Sequence, residues 1–486
     1  MALGLPTAQQ LSRAVEGEYK DGTTFFEFRL DYLSHPETAV ELITDLNARQ
    51  PNIAILATCR HKQHNGFYSG PVETQIALLR DAAKAGAMAA DLEVESAECA
   101  KPALPSIREH GALIISYHNF ANTPALEPAL RRLRRIPADA YKIATTAKKP
   151  SDNIRLLQLV RDHRDVPLIA FTMSEVGTVT RILTPSLGAA FTYACSSECD
   201  GTAPGQIRAR LMRSLYRADK LTKDTRVYGI IADPVAHSKS PLIHNRAFQA
   251  RRCDAVYVPF LVSSVNLGDW MKLANALPVC GFSVTIPHKQ RIMRYLDTVE
   301  PLAKRIGAVN TVWRKAGRWR GTNTDVQGLM NPLSRHLRLA HASVLIAGYG
   351  GAARAAAVAL ADAGAKLTIT GRNMQTAQQL ARAVKAETAS LQTAQHSHFD
   401  ALVHATPVGM YPNVNEVLFE NVPAEVVLDM VYNPQETLLL KRAKEQGRTV
   451  IYGSEMLIDQ AAHQFEIWTG ESAPRGVMQA ALEQSW

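Results

Sequence analysis

Short apolar runs separated by amphipathic stretches dominate the first 200 residues. The runs at 23–30 (TTFFEFRL), 53–60 (IAILATCR), 87–94 (AMAADLEV), 112–118 (ALIISYH), 139–145 (DAYKIAT), 166–172 (VPLIAFT) and 190–195 (AFTYAC) predict strands. Stretches 73–85 and 152–163 between them have helical spacing. Apolar runs that alternate with helices imply parallel strands buried on both faces and joined by crossovers. An eighth strand fits into the opening MALGL, short or curtailed, and eight such strands close a (β/α)8 barrel. In such a barrel the strand C-terminal ends share one face, where an active site sits.

The pattern changes after 206–225, a basic stretch that predicts a helix and a connector. Strands are then expected at 226–232, 255–262 and 280–286, with a hairpin around 308–321. A helix near 326–339 leads to a third series: strands at 343–348, 366–371, 401–405, 426–430 and 449–452, with a helix at 351–363. That alternation predicts a doubly wound nucleotide-binding sheet. The helical tail from 454 is expected to pack back. The domains read as a barrel at 1–210, a linker helix at 211–225, an α/β substrate domain at 226–330, a Rossmann domain at 331–455 and C-terminal helices at 456–486.

Composition narrows the partners. At 486 residues, 46% hydrophobic and 20% charged, the chain suits several globular cores. No apolar run reaches the ~20 residues of a membrane helix. The opening residues lack a signal-peptide pattern, and the 6 scattered cysteines suit reduced thiols, so a cytoplasmic protein is expected. No spacing suggests a metal site. The formal charge of +9 favours small anionic ligands, carboxylates and phosphates. Nucleic acid is not indicated, because no basic run is interleaved with aromatics; RRLRRIP at 131–137 reads as a solvated helix face.

Three groups of residues carry candidate chemistry. In the first 200 residues, Glu27, Arg29, Arg60, His118 and Lys142 all fall near strand C-terminal ends. Lys142 is the anomaly, an ammonium in the strand AYKIATT. One reading is a desolvated amine that attacks a carbonyl to form a Schiff base, with His118 as base and Arg60 or Arg181 as carboxylate anchor. The other is a snorkelling lysine paired with Glu27. In VLIAGYGGAARAAAVALADAG, Gly348 and Gly350 permit a tight turn and a close pyrophosphate, and Ala353 lets the helix pack on the strand. The next strand ends TITGRN, with Arg372 where an acid would read a ribose hydroxyl, which favours NADP over NAD. Ser238 and Ser240 before a helix suit a carboxylate, although Ser240 alone could be an N-cap. Lys289, after FSVTIPHK, and Asp325, in GTNTDVQG with Asn323, form a pair able to shuttle a hydroxyl proton during hydride transfer.

Residues 226–486 resemble shikimate dehydrogenase, through HSKSPLIHN, VTIPHK, AVNTVW, TNTDVQG, AGYGGAAR, HATPVGMYP, DMVYNP and GSEMLIDQAAHQFEIWTG. The resemblance implies that Ser238, Ser240, Thr285, Asn310, Asp325, Tyr432 and Gln460 contact substrate and that Lys289 and Asp325 are the catalytic pair. It implies a cofactor site of Gly348, Gly350, Gly351, Ala352, Arg372, Thr406, Met410 and Gly453. His404 departs from the family, which has Asn there.

Residues 23–206 resemble type I 3-dehydroquinate dehydratase, a (β/α)8 barrel, through FEFRLDYL, ATCR, SYHNF, YKIATTA, TRIL and APGQ. That resemblance implies Lys142 as the Schiff-base lysine and His118 as general acid/base. Glu27, Arg29, Arg60 and Arg181 would bind substrate, with Thr202 (serine in the family) and Gln206 on a closing loop. The family glutamate that orients the histidine is absent; His64, Asn65 and Gly66 occupy that region. Together the halves imply a bifunctional lyase and oxidoreductase of aromatic amino-acid biosynthesis. It would convert 3-dehydroquinate to 3-dehydroshikimate and then, with NADPH, to shikimate. The alternative is a dehydrogenase alone, for shikimate or quinate, carrying a weakened barrel as a binding or assembly module.

Overall fold

A computed structural model of the chain describes residues 1–196 and 201–484. It divides into two compact units, Met1–Thr225 with Phe260–Pro278, and Arg226–Pro259 with Val279–Trp486.

In the first unit seven parallel strands follow chain order: β1 Ala2–Leu3, β2 Phe25–Arg29, β3 Ala54–Thr58, β4 Ala89–Glu93, β5 Ala112–Asn119, β6 Ala140–Thr146 and β7 Leu168–Met173. The segment expected as a strand at 190–195 is not a regular strand. It still touches both edges of the sheet, through Ala190 N–H to the Leu168 carbonyl at 2.7 Å and Ala2 N–H to the Ala194 carbonyl at 3.0 Å. A single bridge pairs Ala2 with Cys195. On the β1 side the ladder can go no further than this bridge, since β1 has only two residues.

Alternation along the strands sorts the side chains. Tyr141 and Ile143 on β6 and Leu113 and Ile115 on β5 join the large core with Leu11, Ile43 and Leu79 from the helices. The alternate residues Leu56, Ala89, Ile114, Ala144 and Ile169 form a smaller cluster on the opposite face. Glu27, Arg29, Arg60, Asp91, His118 and Lys142 share the parity of that second face; Arg29, Arg60 and His118 lie at or just past the strand C-terminal ends, while Glu27, Asp91 and Lys142 sit in mid-strand.

The second unit holds two sheets. In the first, β8 Arg226–Ala232, β9 Ala255–Leu261, β10 Val279–Val284, β11 Thr298–Val299, β12 Thr311–Lys315 and β13 Arg318–Thr322 run in the order β11-β13-β12-β10-β8-β9. The expected hairpin is β12 and β13, turned by Ala316 and Gly317 at φ 50° and 76°, as a two-residue hairpin turn requires. In the other, β14 Ser343–Ala347, β15 Lys366–Thr370, β16 Glu387–Thr388, β17 Phe399–His404, β18 Ala424–Asp429 and β19 Thr449–Ile451 are all parallel, in the order β16-β15-β14-β17-β18-β19. The order reverses between β14 and β17, the switch point where such sheets bind ligands. The tail folds as helices Gly453–Thr469 and Arg475–Glu483, whose Phe465, Trp468 and Met478 are buried with Tyr228, Ile230 and Phe248. Of the basic stretch at 206–225, only Ala209–Ser214 is helical. Among the described residues no helix is long and apolar enough to cross a membrane.

Candidate active sites

Lys142, in the middle of β6, is buried, yet its surroundings are not the apolar ones its strand suggests. Nζ donates to Asp91 Oδ2 at 2.7 Å and to Tyr193 Oη at 2.9 Å, and Glu27 Oε1 stands 3.6 Å away. Glu27 also accepts from the Thr58 hydroxyl at 2.9 Å. Burial alone would raise the Asp91 carboxyl; the charges of Lys142 and Arg60 and hydrogen bonds from Lys142 and Ser116 outweigh it and hold the group below its ordinary range.

His118, near the end of β5, faces a cation. Arg60 Nη2 lies 2.7 Å from its Nε2. Guanidinium only donates, so Nε2 accepts and the imidazole is neutral with its proton on Nδ1. Burial, then the charges of Arg60, Lys142, Arg29 and His64, push the imidazole well below its ordinary pKa. Where the family glutamate is missing, the turn after β3 is held from the other side. Glu93 accepts from His61 N–H at 2.8 Å and from Gln75 Nε2 at 3.0 Å. Gly66 is needed there, since a Cβ would stand 2.0 Å from the Arg60 carbonyl oxygen. His64 is half-buried in this turn.

The two remaining arginines differ. Arg29 is engaged by Asp31, with Nε and Nη2 donating to its two oxygens at 2.8 and 2.7 Å. Arg181, in the helix Thr178–Leu187, is fully buried over the Phe171 ring, and none of its three guanidinium nitrogens has a partner among the described residues. Burial lowers it to about 10, against the opposing pull of Cys195, Tyr193 and Glu27. Three buried unpaired donors call for an oxyanion, and a substrate carboxylate meets that need. A cavity of about 380 Å³ is lined by Cys195 and residues 201–206, where Gln206 Nε2 donates to Thr202 Oγ1 at 3.2 Å.

In the second unit Lys289 Nζ donates to Asp325 Oδ2 at 2.5 Å. Asp325 opens the helix Asp325–Ser334, whose N-terminus favours its negative charge. Its other oxygen accepts from Asn310 Nδ2 at 2.8 Å, and Gln460 Oε1 is 3.5 Å from that same nitrogen. The Lys289 stem lies against the glycine-rich loop, since a Cβ on Gly351 would meet its Cδ at 3.0 Å. Ser240 is the first residue of the helix Ser240–Ala250 and does not cap it; Ser238 Oγ accepts the Ser240 N–H at 3.3 Å. Burial, opposed by hydrogen bonds with Ser238 and the Lys239 backbone, raises the Tyr432 phenol. Thr285 is half-buried beyond β10, its N–H bonded to the Ile231 carbonyl at 3.2 Å.

The nucleotide cradle fits a dinucleotide. Gly348 stands at φ +123°, where a Cβ would lie 2.8 Å from the Ala405 carbonyl oxygen. Gly350 precedes the helix Gly351–Asp362 with nothing within 4 Å of a Cβ position, which leaves room for a pyrophosphate beside Gly351 and Ala352. Arg372 is exposed just past β15. Gly453 is confined, since a Cβ would meet the Val431 carbonyl oxygen at 2.5 Å. His404 is buried; Nδ1 lies 2.8 Å from Asp429 Oδ1 and Nε2 lies 2.6 Å from Thr406 Oγ1. The imidazole thereby holds Thr406, while Met410 is exposed.

Sequence reasoning missed Asp91 and Tyr193 at the first site and Asp429 behind His404. Asp91 had a legible signal, a carboxylate in the apolar run AMAADLEV. Tyr193 had none, since tyrosine is ordinary in a strand-like run.

Residues 1–223 match the family model of type I 3-dehydroquinase, 230–312 that of the shikimate dehydrogenase substrate binding domain, and 453–483 that of the shikimate 5'-dehydrogenase C-terminal domain. The chain is 40% identical over 256 residues to the shikimate dehydrogenase (NADP(+)) of Bacillus cereus, covering 50% of this chain and 92% of that one. A crystal structure of shikimate dehydrogenase in complex with NADP+ superposes with a TM-score of 0.51 at 39% identity, covering 54% of this chain and 96% of that one. Both halves are matched together by the chloroplastic bifunctional 3-dehydroquinate dehydratase/shikimate dehydrogenase of Arabidopsis thaliana, 35% identical over 480 residues, 93% of this chain and 79% of the relative. With a buried lysine constellation in one unit, a Lys–Asp pair beside a dinucleotide cradle in the other, and a relative that spans both, the chain belongs to the bifunctional 3-dehydroquinate dehydratase/shikimate dehydrogenase family.

Proposed function

We propose that the chain dehydrates 3-dehydroquinate to 3-dehydroshikimate and reduces that product to shikimate with NADP as cofactor. The observation that carries the reading is Lys142 Nζ, buried among Asp91, Tyr193 and Glu27 within the same unit as Arg181, whose guanidinium has no partner among the described residues. Arg181 takes the substrate carboxylate. Lys142 attacks the ketone and forms an iminium, which withdraws electrons from the adjacent carbon. His118, neutral at Nε2 once Arg60 turns to the substrate, removes the proton there, and a hydroxyl leaves as water. Thr202 and Gln206 close over the ring from their loop.

In the second unit Ser238 and Ser240 hold the carboxylate, and Asn310, Thr285, Tyr432 and Gln460 contact the hydroxylated ring. Bound NADPH supplies the hydride. Lys289, oriented by Asp325, delivers the proton to the nascent hydroxyl, and Asp325 takes part in holding that oxygen. Arg372 holds the 2′-phosphate, and Thr406 with Met410 borders the nicotinamide. The domain ranges proposed are 1–210, 211–225, 226–330, 331–455 and 456–486. The cytoplasm is the proposed location, in keeping with the free thiols of Cys59, Cys99 and Cys253. No observation favours the dehydrogenase-only alternative.

Borohydride in the presence of 3-dehydroquinate tests the first step. The peptide carrying Lys142 is expected to gain the mass of the reduced adduct. A folded protein with no such adduct would sink the Schiff-base assignment.

A further inference from the structure

The strand order β16-β15-β14-β17-β18-β19 divides the nucleotide sheet at the loop after β14. Arg372 follows β15 on one side of that loop, and Thr406 follows β17 on the other. A dinucleotide whose pyrophosphate lies beside Gly350 and whose 2′-phosphate meets Arg372 must extend its nicotinamide half towards β17. Thr406 is built into that side of the cradle. A Cβ on Gly348 would stand 3.3 Å from the Thr406 Cγ2 and 2.8 Å from the Ala405 carbonyl oxygen.

A chain of buried polar groups holds Thr406 from behind. His404 ends β17, Asp429 ends β18, and the two are paired in register. Both are buried. Asp429 Oδ2 accepts the Thr437 hydroxyl at 2.6 Å, while Oδ1 accepts the Val431 N–H at 3.0 Å and faces His404 Nδ1 at 2.8 Å. An ionised carboxylate only accepts, so Nδ1 carries a proton, and the neutral ring then presents a lone pair at Nε2. The Thr406 hydroxyl, 2.6 Å from Nε2, donates to it. One lone pair of Thr406 Oγ1 takes the Val408 N–H at 3.3 Å. Among the described residues nothing else bonds this oxygen, so its second lone pair is open to a donor. Mere packing at the end of β17 calls for neither imidazole bond; a leucine there would leave the hydroxyl free to rotate.

We propose that His404 is a positioning residue of the dehydrogenase: backed by Asp429, it fixes the Thr406 hydroxyl as an acceptor for a donor on the nicotinamide half of NADP. That donor is an N–H of the carboxamide or an O–H of the adjoining ribose. The proposal rests on the reading of the second unit as an NADP-dependent dehydrogenase. His404 touches no reacting atom and acts only through Thr406. An amide side chain, like this ring, carries one donor and one acceptor, so His404→Gln keeps a group able to bond both Asp429 and Thr406.

The test measures dissociation constants of the full chain for NADP+ and for 2′,5′-ADP, which keeps the 2′-phosphate and lacks the nicotinamide half. His404→Leu is expected to weaken NADP+ by about three- to tenfold, the scale of one neutral hydrogen bond, with the 2′,5′-ADP constant unmoved. Thr406→Val keeps the shape, loses the hydroxyl and should weaken NADP+ by the same factor. Because His404 acts through Thr406, adding His404→Leu to Thr406→Val should cost no further affinity. His404→Gln should recover most of the wild-type affinity. Additive losses in the double variant overturn the proposal. So does unchanged NADP+ binding in His404→Leu, and so does equal weakening of both ligands, which marks a damaged cradle. Should His404→Leu not fold, His404→Phe keeps a ring there without its nitrogens, and the same two constants decide. The 3-acetylpyridine analogue of NADP+, which has no carboxamide N–H, locates the donor. A His404→Leu loss that vanishes with the analogue assigns the carboxamide; one that persists assigns the ribose. A folded wild-type protein that binds neither NADP+ nor 2′,5′-ADP refutes the dehydrogenase reading itself.

Discussion

Arg372 stands exposed just past β15, at the place where a carboxylate would bind a ribose hydroxyl and a guanidinium binds a 2′-phosphate. A hydrogen bond to a charged group is worth about 1.5–3 kcal/mol, or roughly ten- to a hundredfold in affinity. Arg372→Ala should therefore raise the KM for NADPH by that factor and leave the KM for NADH almost unchanged; equal losses would refute the phosphate role. A second residue reports on stability. His244 is buried, stacked on Tyr257 at 4.5 Å, and burial lowers its pKa to about 3 against the opposing influence of the Gln464 side chain. In the unfolded chain the value is about 6.5. Above that pH the imidazole is neutral in both states and contributes no pH dependence. As pH falls below it, the unfolded chain binds a proton that the folded one refuses, so stability drops by about 1.4 kcal/mol per pH unit until the folded value is reached. Between pH 7.5 and 5 this amounts to about 2 kcal/mol, and His244→Gln should flatten that share of the acid slope in urea unfolding. Identical slopes in the two proteins would show that the imidazole is not protected.

The elements differ in how far their sequence disclosed them. Strands β2 to β7 and β14, β15, β17 and β18 were legible because parallel strands buried on both faces read as continuous apolar runs. The two-residue strands β11 and β16 were not, since two residues carry no periodicity. The segment at 190–195 has the composition of a strand but makes only isolated contacts with the sheet edges, a single bridge to the two-residue β1 and one bond to β7. The candidate lysine, histidine and arginines were legible as residue types in or near the strands, whereas the Asp91–Lys142 pair spans β4 and β6 with β5 between them, a proximity created by sheet order and absent from any spacing in the chain. Loops disclosed least, and the turn at Gly205 shows why they matter. It stands at φ +76°, and a Cβ there would lie 2.2 Å from the Ser174 carbonyl oxygen. Gly205→Ala must displace the loop that carries Thr202 and Gln206. The expected outcome is a large loss of dehydratase kcat/KM, with reduction of 3-dehydroshikimate by NADPH unchanged. A variant with normal dehydratase turnover would mean that this loop does not need to close in the observed backbone conformation.

At the scale of the whole molecule, the residues proposed for each chemistry fall inside one unit: Glu27 to Gln206 in the first, Ser238 to Gln460 in the second. No residue argued for one chemistry is borrowed from the other unit. The two activities should therefore separate cleanly by substitution. Lys142→Ala is expected to abolish NADPH loss from 3-dehydroquinate while preserving it from 3-dehydroshikimate. Lys289→Ala should still form the conjugated enone from 3-dehydroquinate and consume almost no NADPH. Mixing the two variants then decides how the intermediate travels. If 3-dehydroshikimate leaves the dehydratase site into solvent, the mixture restores NADPH consumption from 3-dehydroquinate after a lag. That lag shortens in proportion as the Lys142→Ala protein, which carries the intact dehydrogenase, is added in excess, because it measures the time for free intermediate to reach its steady level. We expect this outcome, since nothing in either site depends on the other. A mixture that stays inactive while both single activities are intact would show that the intermediate is not released, and the independence of the two sites would have to be abandoned.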